Sequence, residues 1–546
     1  MAIKVVYENK AVGVTGNVTN TASDMQDFVD LTQLDDPNVV IKNYGTLEGN
    51  NWLLKDDVLI LPDDLTSVGM GLWSTQMSND DGSFDTPIVV TRTYNNTFTA
   101  PGVTLTFDTY NNTFADRVNV KWYRDSTLLY DNDYEPNSSV YFCEQNVVAY
   151  NKIVITLTHM NKASRFLKLW KIDDGIIREF YKDEILGLTI SEGISDTGES
   201  LSINTMNLNL LSKSSVKIIF QRVQALKVYN DNELYGTFFV ESSERTLNNY
   251  NLLTYDLVGM LDNNNFYGGI YNNYSAATLV SEICADLPYE LDESFNSVLI
   301  TGYLPIMTAR EALMQVAFVL NAIVDTSRSD KIKIYPIPAY NALNLVEIDS
   351  DRAGNDSSEL TEAPVTKIEL TAHKYVVSVG DDGINTEEIY NDILNGPITS
   401  TFSNAHFNYS ITGGTIISSS ANHVTFTGTG GTVVVTSNYY DDKPTVYSSY
   451  NPLNTANSIP NVKQINNAYL VNASNVSSVM DRLEDAIYNT NTLDVSFILE
   501  DEKVGDYVQI ETIEGTKTGQ LININYDLSG NTIYANCTIR EAYDGN

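Results

Sequence analysis

Residue types that perform catalysis are few in this chain, and no familiar catalytic spacing joins them. The 546 residues include only four histidines and three cysteines, and no HExxH, GxSxG, P-loop or GxGxxG motif occurs. The closest pair that could form a thiol nucleophile with its base is Cys143 and His159. Both lie in strand-like segments, so we expect structural roles for them and assign no catalytic residue, cofactor or metal ligand.

Paired aspartates could perform a second kind of chemistry, either glycan hydrolysis or calcium binding. A glycosidase places two carboxylates across the scissile bond, and calcium binds carboxylate and carbonyl oxygens. Because the chain has 70 acidic residues, adjacent pairs carry little information, and the DxDxDG loop of calcium sites is absent. We therefore expect solvated loops. The pairs include Asp56–Asp57, Asp63–Asp64, Asp173–Asp174 and Asp381–Asp382.

Aromatic side chains could bind a third kind of ligand, because sugars stack on flat rings. Trp52 and Trp73 lie in loop-like segments. Trp122 shares the apolar face of its strand and is expected in the core, whereas Tyr123 points to the opposite side. We predict glycan contact for Trp52, Trp73 and Tyr123; the alternative is that the tryptophans pack the core.

Most elements that would position these residues are β-strands. Short alternating runs from about residue 84 to 172, separated by Asn, Asp, Gly and Pro, predict a β-sandwich. Residues 1–83 join it as leading strands and loops, which gives an N-terminal domain of 1–175. Two further β-rich segments, 176–261 and 490–546, have the size of small barrels. In the first of them, NDNELYG at 230–236 predicts a hairpin turn.

Between the two predicted barrels the pattern changes to an α/β domain at 262–340. Ser275 precedes one helical pattern, and Thr308 with Glu311 has the spacing of a capping box at the start of another. The second helix should bury one face, formed by Ala312, Leu313, Val316, Ala317 and Leu320.

A hairpin should follow this helix directly. Its strands are Ala322–Val324 and Lys331–Tyr335, and the polar residues Thr326–Asp330 form the turn. Beyond it, a middle domain is expected at 341–395 and 461–489, including a helix near 475–488. Residues 396–460 are rich in Gly, Ser, Thr and Asn, yet they keep strand alternation, so they predict an inserted small β-domain.

The net charge is the outlying bulk property. With 33 basic and 70 acidic residues, it is −37, which repels nucleic acid and anionic membranes. We expect no specific nucleic-acid binding. The start lacks a secretory signal and no apolar run reaches membrane-spanning length, so we expect no membrane anchor and synthesis in a cytoplasm. Cys143, Cys284 and Cys537 are predicted to be buried as small hydrophobes.

Several segments resemble the hub protein of bacteriophage tail tips and baseplates, in the form found in phages or prophages of low-GC Gram-positive bacteria. Residues 47–54 and 71–87 are similar to the leading, carbohydrate-binding-like sandwich of such proteins. The most specific segments are YGGIYNNYSAATLVSEI at 267–283, TAREALMQVAFVLNAIVDTSRSDKIKIY at 308–335 and VGDYVQIETIEGTKTGQLININYDLSGNTIYANCTIREA at 504–542.

The resemblance implies a homotrimer whose two β-barrels per subunit form a six-fold ring. Such a hub adapts the hexameric tail tube to the tip and lines the channel for DNA ejection. The implied partners are the distal tail or tail tube protein, the tape measure protein, a tail fibre or receptor-binding protein and, for the N-terminal domain, a cell-wall glycan. The chain would be made in the host bacterial cytoplasm and would act in the virion, at the tail tip or baseplate. Because it ends soon after the second barrel, we expect no C-terminal lytic domain.

We therefore predict a multidomain, mainly β protein with α+β parts. An N-terminal jelly-roll-like β-sandwich precedes a tail-hub module, in which two small β-barrels flank an α/β middle with a β insert. The predicted function is that of a structural virion protein, not an enzyme. The alternatives are a receptor-binding tail protein and a cell-wall polysaccharide depolymerase that uses paired carboxylates.

Overall fold

The computed structural model consists mainly of β-strands and divides into two compact units, which confirms the predicted fold class of a multidomain, mainly β chain. The first unit is Val6–Phe180, and the second unit combines Met1–Val5 with Tyr181–Asn546. The structure describes residues 2–10, 14, 17–27, 29–35, 48, 53–55, 58–60, 71–109, 111–195, 197–212, 218, 220–338, 345–361, 364–452, 459–488, 491–512 and 515–541.

Among the described residues up to Tyr181, strands alternate with turns and one short 3-10 helix, Leu31–Leu34, whose first turn is capped by Asp30. Seven strands of the first unit form one sheet in the order β5-β10-β6-β9-β7-β8, with β2 beside β6. The described strands up to Tyr181, in this sheet and outside it, are β1 (Ile3–Lys10), β2 (Val18–Ala22), β3 (Leu53–Lys55), β4 (Val58–Ile60), β5 (Leu72–Met77), β6 (Ser83–Phe107), β7 (Ala115–Arg124), β8 (Thr127–Tyr134), β9 (Val140–Met160), β10 (Phe166–Asp173) and β11 (Gly175–Tyr181).

Two long strands organise the first unit, β6 with 25 residues and β9 with 21. They pair along their length, with register shifts near the middle, and both halves of β6 bury side chains in one core. At Gly102, within the irregular part, a Cβ would lie 2.2 Å from the carbonyl oxygen of Cys143, so only glycine fits there. The same core contains Trp122, as the alternation predicted.

The second unit begins with what we call the first β region, five strands in the order β14-β15-β16-β13-β12. The predicted hairpin turn is confirmed, since β14 and β15 pair on either side of Asp231 and Asn232. Their φ angles are 47° and 74°, a left-handed conformation that Asp and Asn tolerate. The strands are β12 (Ile185–Gly193), β13 (Thr205–Leu211), β14 (Ala225–Asn230), β15 (Glu233–Thr246) and β16 (Asn249–Tyr255).

An α/β segment follows, and its local predictions are confirmed. Thr308 and Glu311 form the capping box: each side chain accepts the backbone N–H of the other residue, at 3.2 and 3.0 Å. All five residues of the predicted helix face are buried. The elements are α1 (Leu257–Met260), β17 (Asn265–Phe266), β18 (Gly269–Ser275), α2 (Ala276–Cys284), β19 (Tyr289–Leu291), β20 (Leu299–Leu304), β21 (Met307–Thr308), α3 (Ala309–Leu320), β22 (Ala322–Asp325) and β23 (Ile332–Pro336), with 3-10 turns at Leu261–Asn263 and Glu293–Phe295.

Several small sheets and one helix follow, including β34-β26-β35, against which α4 packs, and a five-stranded sheet of β27 and β30–β33. Asn422, at the turn before β33, accepts from the hydroxyl of Tyr303 at 2.6 Å and so fastens the latter sheet to the α/β segment. The elements are β24 (Val346–Ile348), β25 (Ala353–Thr361), β26 (Lys367–Ala372), β27 (Tyr375–Val377), β28 (Val379–Gly380), β29 (Gly383–Ile384), β30 (Thr386–Thr401), β31 (His406–Thr412), β32 (Gly414–Ser419), β33 (His423–Asp442), β34 (Thr445–Tyr450), β35 (Val462–Ile465) and α4 (Val476–Tyr488).

The chain closes with the second β region, which is β36 (Asn491–Ile498), β37 (Tyr507–Thr512), β38 (Gly515–Asp527) and β39 (Tyr534–Glu541). Its strand β38 pairs with β12 of the first β region, so both regions belong to one sheet, ordered β14-β15-β16-β13-β12-β38-β39-β36-β25 over these strands. The domain boundaries drawn from the sequence stay predictions. The five-stranded sheet already includes Thr386, ahead of the predicted insert start at 396, and β34 pairs outside it.

Candidate functional site

The residues predicted to contact a glycan have different environments. Trp52 lies outside the described residues. Trp73 is 5% exposed, and the Nζ atom of Lys168 stands 4.7 Å from its ring centroid. Tyr123 is half-buried on the side of β7 away from the core, with the Nζ atom of Lys152 5.2 Å from its ring centroid. Glycan contact by these residues stays a prediction.

The outward side of β7 carries polar groups as well as the Tyr123 ring. Asn119 donates to one carboxylate oxygen of Asp131 at 2.8 Å and to one of Asp133 at 2.9 Å, and Lys121 pairs with Asp131 at 2.9 Å. The hydrogen bond from Asn119, followed by that from Lys121, lowers the pKa of Asp131. The carboxylate of Asp131 is therefore ionised at neutral pH and can accept hydrogen bonds from hydroxyl groups.

The thiol–imidazole pair considered from the sequence has other partners. The ring nitrogens of His159 lie 2.6 Å from a carboxylate oxygen of Asp116 and 2.6 Å from the carbonyl oxygen of Asp81. Burial raises the pKa of the Cys143 thiol to about 12, so the thiol stays protonated at neutral pH. All three cysteines are buried, as predicted.

The paired aspartates also occupy unrelated environments. Asp56, Asp57, Asp63 and Asp64 lie outside the described residues, and the exposed Asp381 and Asp382 form the turn between β28 and β29. Asp174 is buried and balances the charge of a buried arginine. It contacts Arg92 at 2.6 Å, accepts from Tyr150 at 3.1 Å and also accepts from the hydroxyl of Tyr94.

Within the described part of the chain, no group of three or more His, Cys, Asp and Glu side chains is arranged to hold a metal ion. No helix of these ranges is long and apolar enough to cross a membrane. The surface does contain polar grooves, one of which, with a volume of about 460 Å³, is lined by Asp494, Asn525 and Asn536 on the second β region.

A charged cluster that sequence reasoning missed lies where the two β regions meet, which we call the joint. Strands β12 and β38 run antiparallel there, with Ile190 opposite Tyr526 and Glu192 opposite Ile524. Glu192 is 1% exposed and its Oε1 accepts from the hydroxyl of Tyr526 at 2.9 Å. Among the described residues, no hydrogen-bond donor reaches its Oε2. Burial raises the pKa of Glu192 to about 7.

Asp325, at the end of β22, is buried, and so are Thr326, Ser327 and Ser329 of the turn between β22 and β23, which inserts against this joint. We call this turn the buried turn. The side-chain amide of Asn204 donates to the hydroxyls of Thr326 and Ser327, at 3.1 Å each. The backbone N–H of Gly193, at the end of β12, donates to Asn204 at 2.9 Å. One asparagine therefore connects the buried turn to β12.

Two further carboxylates fix the buried turn. Asp256, at the N-terminus of α1, accepts from the hydroxyl of Thr326 at 2.5 Å and from the backbone of Gly259 at 2.9 Å. Burial raises the pKa of Asp256 to about 6, although its hydrogen bonds oppose the rise. Burial also raises the pKa of Asp325, whose carboxylate accepts from the backbone of Ser327 at 2.8 Å.

Arg328 brings the positive charge of the buried turn to the joint. Its guanidinium stacks 4.9 Å from the ring centroid of Tyr235 on β15, and that ring meets Tyr526 edge-on at 6.1 Å between centroids. The same guanidinium donates to the carbonyl oxygen of Glu502 at 2.8 Å. Arg328 therefore contacts the first β region and the loop between β36 and β37 of the second β region.

One signal in the sequence could have located this cluster. Leu188, Ile190 and Glu192 occupy the same phase of β12, so a charged residue follows two core residues on the inward face. Alternation predicts its burial, and a buried carboxylate needs polar partners. The identity of those partners was not readable, because Tyr526 and Arg328 are distant in sequence.

Comparisons with known proteins give weak likenesses to tail proteins. No protein-family model and no curated protein matches the chain. One similar solved structure is the prophage MuSo2 43 kDa tail protein from Shewanella oneidensis, with a TM-score of 0.40 and 8% identity over 66% of this chain and 94% of that one.

Two others are a tail protein from Neisseria meningitidis MC58 and the prophage tail protein gp18 from Listeria monocytogenes EGD-e. The Neisseria protein has a TM-score of 0.42 and 10% identity over 67% of this chain and 94% of its own. The Listeria protein has a TM-score of 0.38 and 10% identity over 68% of this chain and 92% of its own. Because all three TM-scores are below 0.5, these likenesses do not by themselves establish a shared fold or role.

Proposed function

We propose that this chain is a structural protein of a phage tail, and that it forms the homotrimeric hub of the tail tip or baseplate. In this role it adapts the hexameric tail tube to the tip and lines the channel through which DNA is ejected. Its partners are then a distal tail or tail tube protein, the tape measure protein and a tail fibre or receptor-binding protein. The protein acts in the virion.

The observation that carries the proposal is the edge-to-edge pairing of two β regions within one subunit. Five consecutive residue pairs join β12 to β38, from Thr189 with Asp527 to Gly193 with Asn523. A subunit that presents two side-by-side β regions supplies two positions of a ring, so three subunits supply six. This matches the symmetry that the segments at 267–283, 308–335 and 504–542 imply through their resemblance to tail hubs.

Charge supports the same role. A net charge of −37 makes non-specific adsorption of DNA unfavourable, because phosphate contacts require Lys and Arg. A channel wall that does not hold DNA lets it pass during ejection.

Light scattering on the purified full chain, together with negative-stain images, tests the proposal. We expect a particle of three times the chain mass and a ring with six-fold-like density. A stable monomer at micromolar concentration contradicts it and favours the alternatives, a receptor-binding protein or a polysaccharide depolymerase. Release of reducing sugar from cell-wall polysaccharide distinguishes these two.

We also propose that the first unit binds a neutral cell-wall glycan on the outward side of β7. The Tyr123 ring offers a stacking surface, and Asn119 and Lys121 lie on the same side with the carboxylates of Asp131 and Asp133. An aromatic ring beside fixed hydrogen-bond acceptors suits a polyhydroxylated, uncharged ligand, and the surrounding negative charge disfavours an anionic one.

A further inference from the structure

We propose that the buried cluster at the joint is a proton-sensitive latch between the two β regions, with Glu192 as the titrating group. The proposal rests on the geometry of the second unit and does not require assembly into a ring. When Glu192 is protonated, β12 and β38 are held firmly; when it is ionised, they separate more readily.

The location of Glu192 is the first argument. It projects from β12 into the interior and directly beside the pairing that joins the two β regions. Any local opening that separates β12 from β38 lets water reach its carboxyl group. The protonation state of Glu192 is therefore coupled to opening of the joint, because the closed and open states solvate the group differently.

The hydrogen bonding of Glu192 is the second argument. Its Oε1 is occupied by Tyr526, while Oε2 has no partner among the described residues. A buried carboxylate oxygen without a donor is unfavourable. A proton on Oε2 removes the negative charge at that atom and leaves the Tyr526 contact in place.

The surrounding charges do not cancel the preference of buried Glu192 for its protonated form. Arg328 and Lys503 favour the ionised form, whereas Asp325 opposes it, and burial is the largest influence on the pKa of Glu192, which rises from 4.5 to about 7. The groups that face Glu192 come from β22, the buried turn, β38, β39 and the loop before β37; they are Asp325, Arg328, Tyr526, Cys537 and Lys503.

The direction of the pH effect follows from the raised pKa. Between pH 4.5 and about 7 the closed joint holds a proton on Glu192 that the open joint releases. Closure is therefore most favourable at low pH and weakens as the pH rises through about 7. With these two pKa values, the equilibrium constant for opening is about 30-fold larger at pH 8.0 than at pH 5.5.

Hydrogen–deuterium exchange of the full chain at pH 5.5 and pH 8.0, corrected for intrinsic exchange, tests the latch. We expect about 30-fold lower protection of the β12 and β38 amides at pH 8.0, and no comparable change in β7 and β9 of the first unit. Glu192→Gln should remove the difference, whereas Glu244→Gln, at an exposed position on β15, should retain it.

Equal pH dependence in β12–β38 and β7–β9 overturns the proposal, as does a Glu192→Gln variant that keeps the wild-type dependence. If Glu192→Gln fails to fold, the pH dependence of β12 and β38 protection in the wild-type protein still tests the latch. A midpoint near pH 7 supports the latch, and a midpoint near pH 4.5, the ordinary value for glutamate, excludes it.

Discussion

The hydroxyl of Tyr526 donates a hydrogen bond to Oε1 of Glu192 at 2.9 Å, across a separation of 334 residues. The two side chains belong to different β regions, and both are almost fully buried. The bond therefore reports on the joint itself, because it can form only when β12 and β38 are paired.

Replacing Tyr526 with Phe removes the donor and keeps the ring. We expect the free energy of unfolding of the second unit to fall by about 1–3 kcal/mol at pH 8.0, and by less at pH 5.5, where Glu192 is neutral. Urea unfolding at both pH values measures the difference. Tyr534→Phe, at a position 65% exposed on β39, is the matched control. An equal loss of stability at both pH values would show that the hydrogen bond from Tyr526 is no stronger to ionised than to protonated Glu192.

Arg92 should be essential to the first unit, because it is 1% exposed and pairs with Asp35 at 2.7 Å and Asp174 at 2.6 Å. Arg92→Met leaves the buried Asp174 and the partly buried Asp35 without their counter-charge. We therefore expect the free energy of unfolding to fall by about 3–5 kcal/mol, with a lower Tm for this unit by calorimetry.

Arg117→Met, at an exposed position on β7, serves as the control for Arg92→Met. Its free energy of unfolding should change by no more than about 0.5 kcal/mol. Adding Asp174→Asn to Arg92→Met should restore part of the lost stability, because it removes one unpaired charge. An Arg92→Met variant that is as stable as Arg117→Met contradicts the prediction.

The capping box of α3 gives a smaller effect. Thr308→Ala removes the acceptor for the backbone N–H of Glu311, and we expect about 1 kcal/mol less stability in the second unit. Thr308→Ser keeps the hydroxyl and should differ little from wild type. The comparison requires only denaturant unfolding at one pH, and equal stability of the Ala and Ser variants is the contrary result.

Glycan binding by the first unit is tested with Tyr123→Ala in the full chain. We expect at least about tenfold weaker binding to a neutral cell-wall polysaccharide in calorimetric titration, since stacking on the ring is lost. Tyr130→Ala, at an exposed position on the neighbouring β8, should bind as wild type does. Absence of binding by the wild-type protein across a panel of such polysaccharides removes this part of the proposal.

Local features were well predicted because their causes lie within a few residues. The capping box needs only Thr308 and Glu311, and the burial of Trp122 follows from the two-residue period of its strand. The hairpin of β22 and β23 was likewise read from its strand and turn residues. The polar turn between them was also expected, but its burial was not, since turns usually face solvent.

By itself the sequence determined the mainly β fold class, the helix starts, the hairpins and which side chains face inward, because each depends on short-range periodicity and backbone hydrogen bonding. Only the tertiary structure decided that β12 pairs with β38 and that the buried turn seals their joint. Strand alternation predicts that Glu192 points inward, but it does not predict which residues surround the carboxyl group. Partner and register are set by long-range packing, and that packing gives Glu192 one hydrogen-bond donor, a nearby guanidinium and a pKa of about 7.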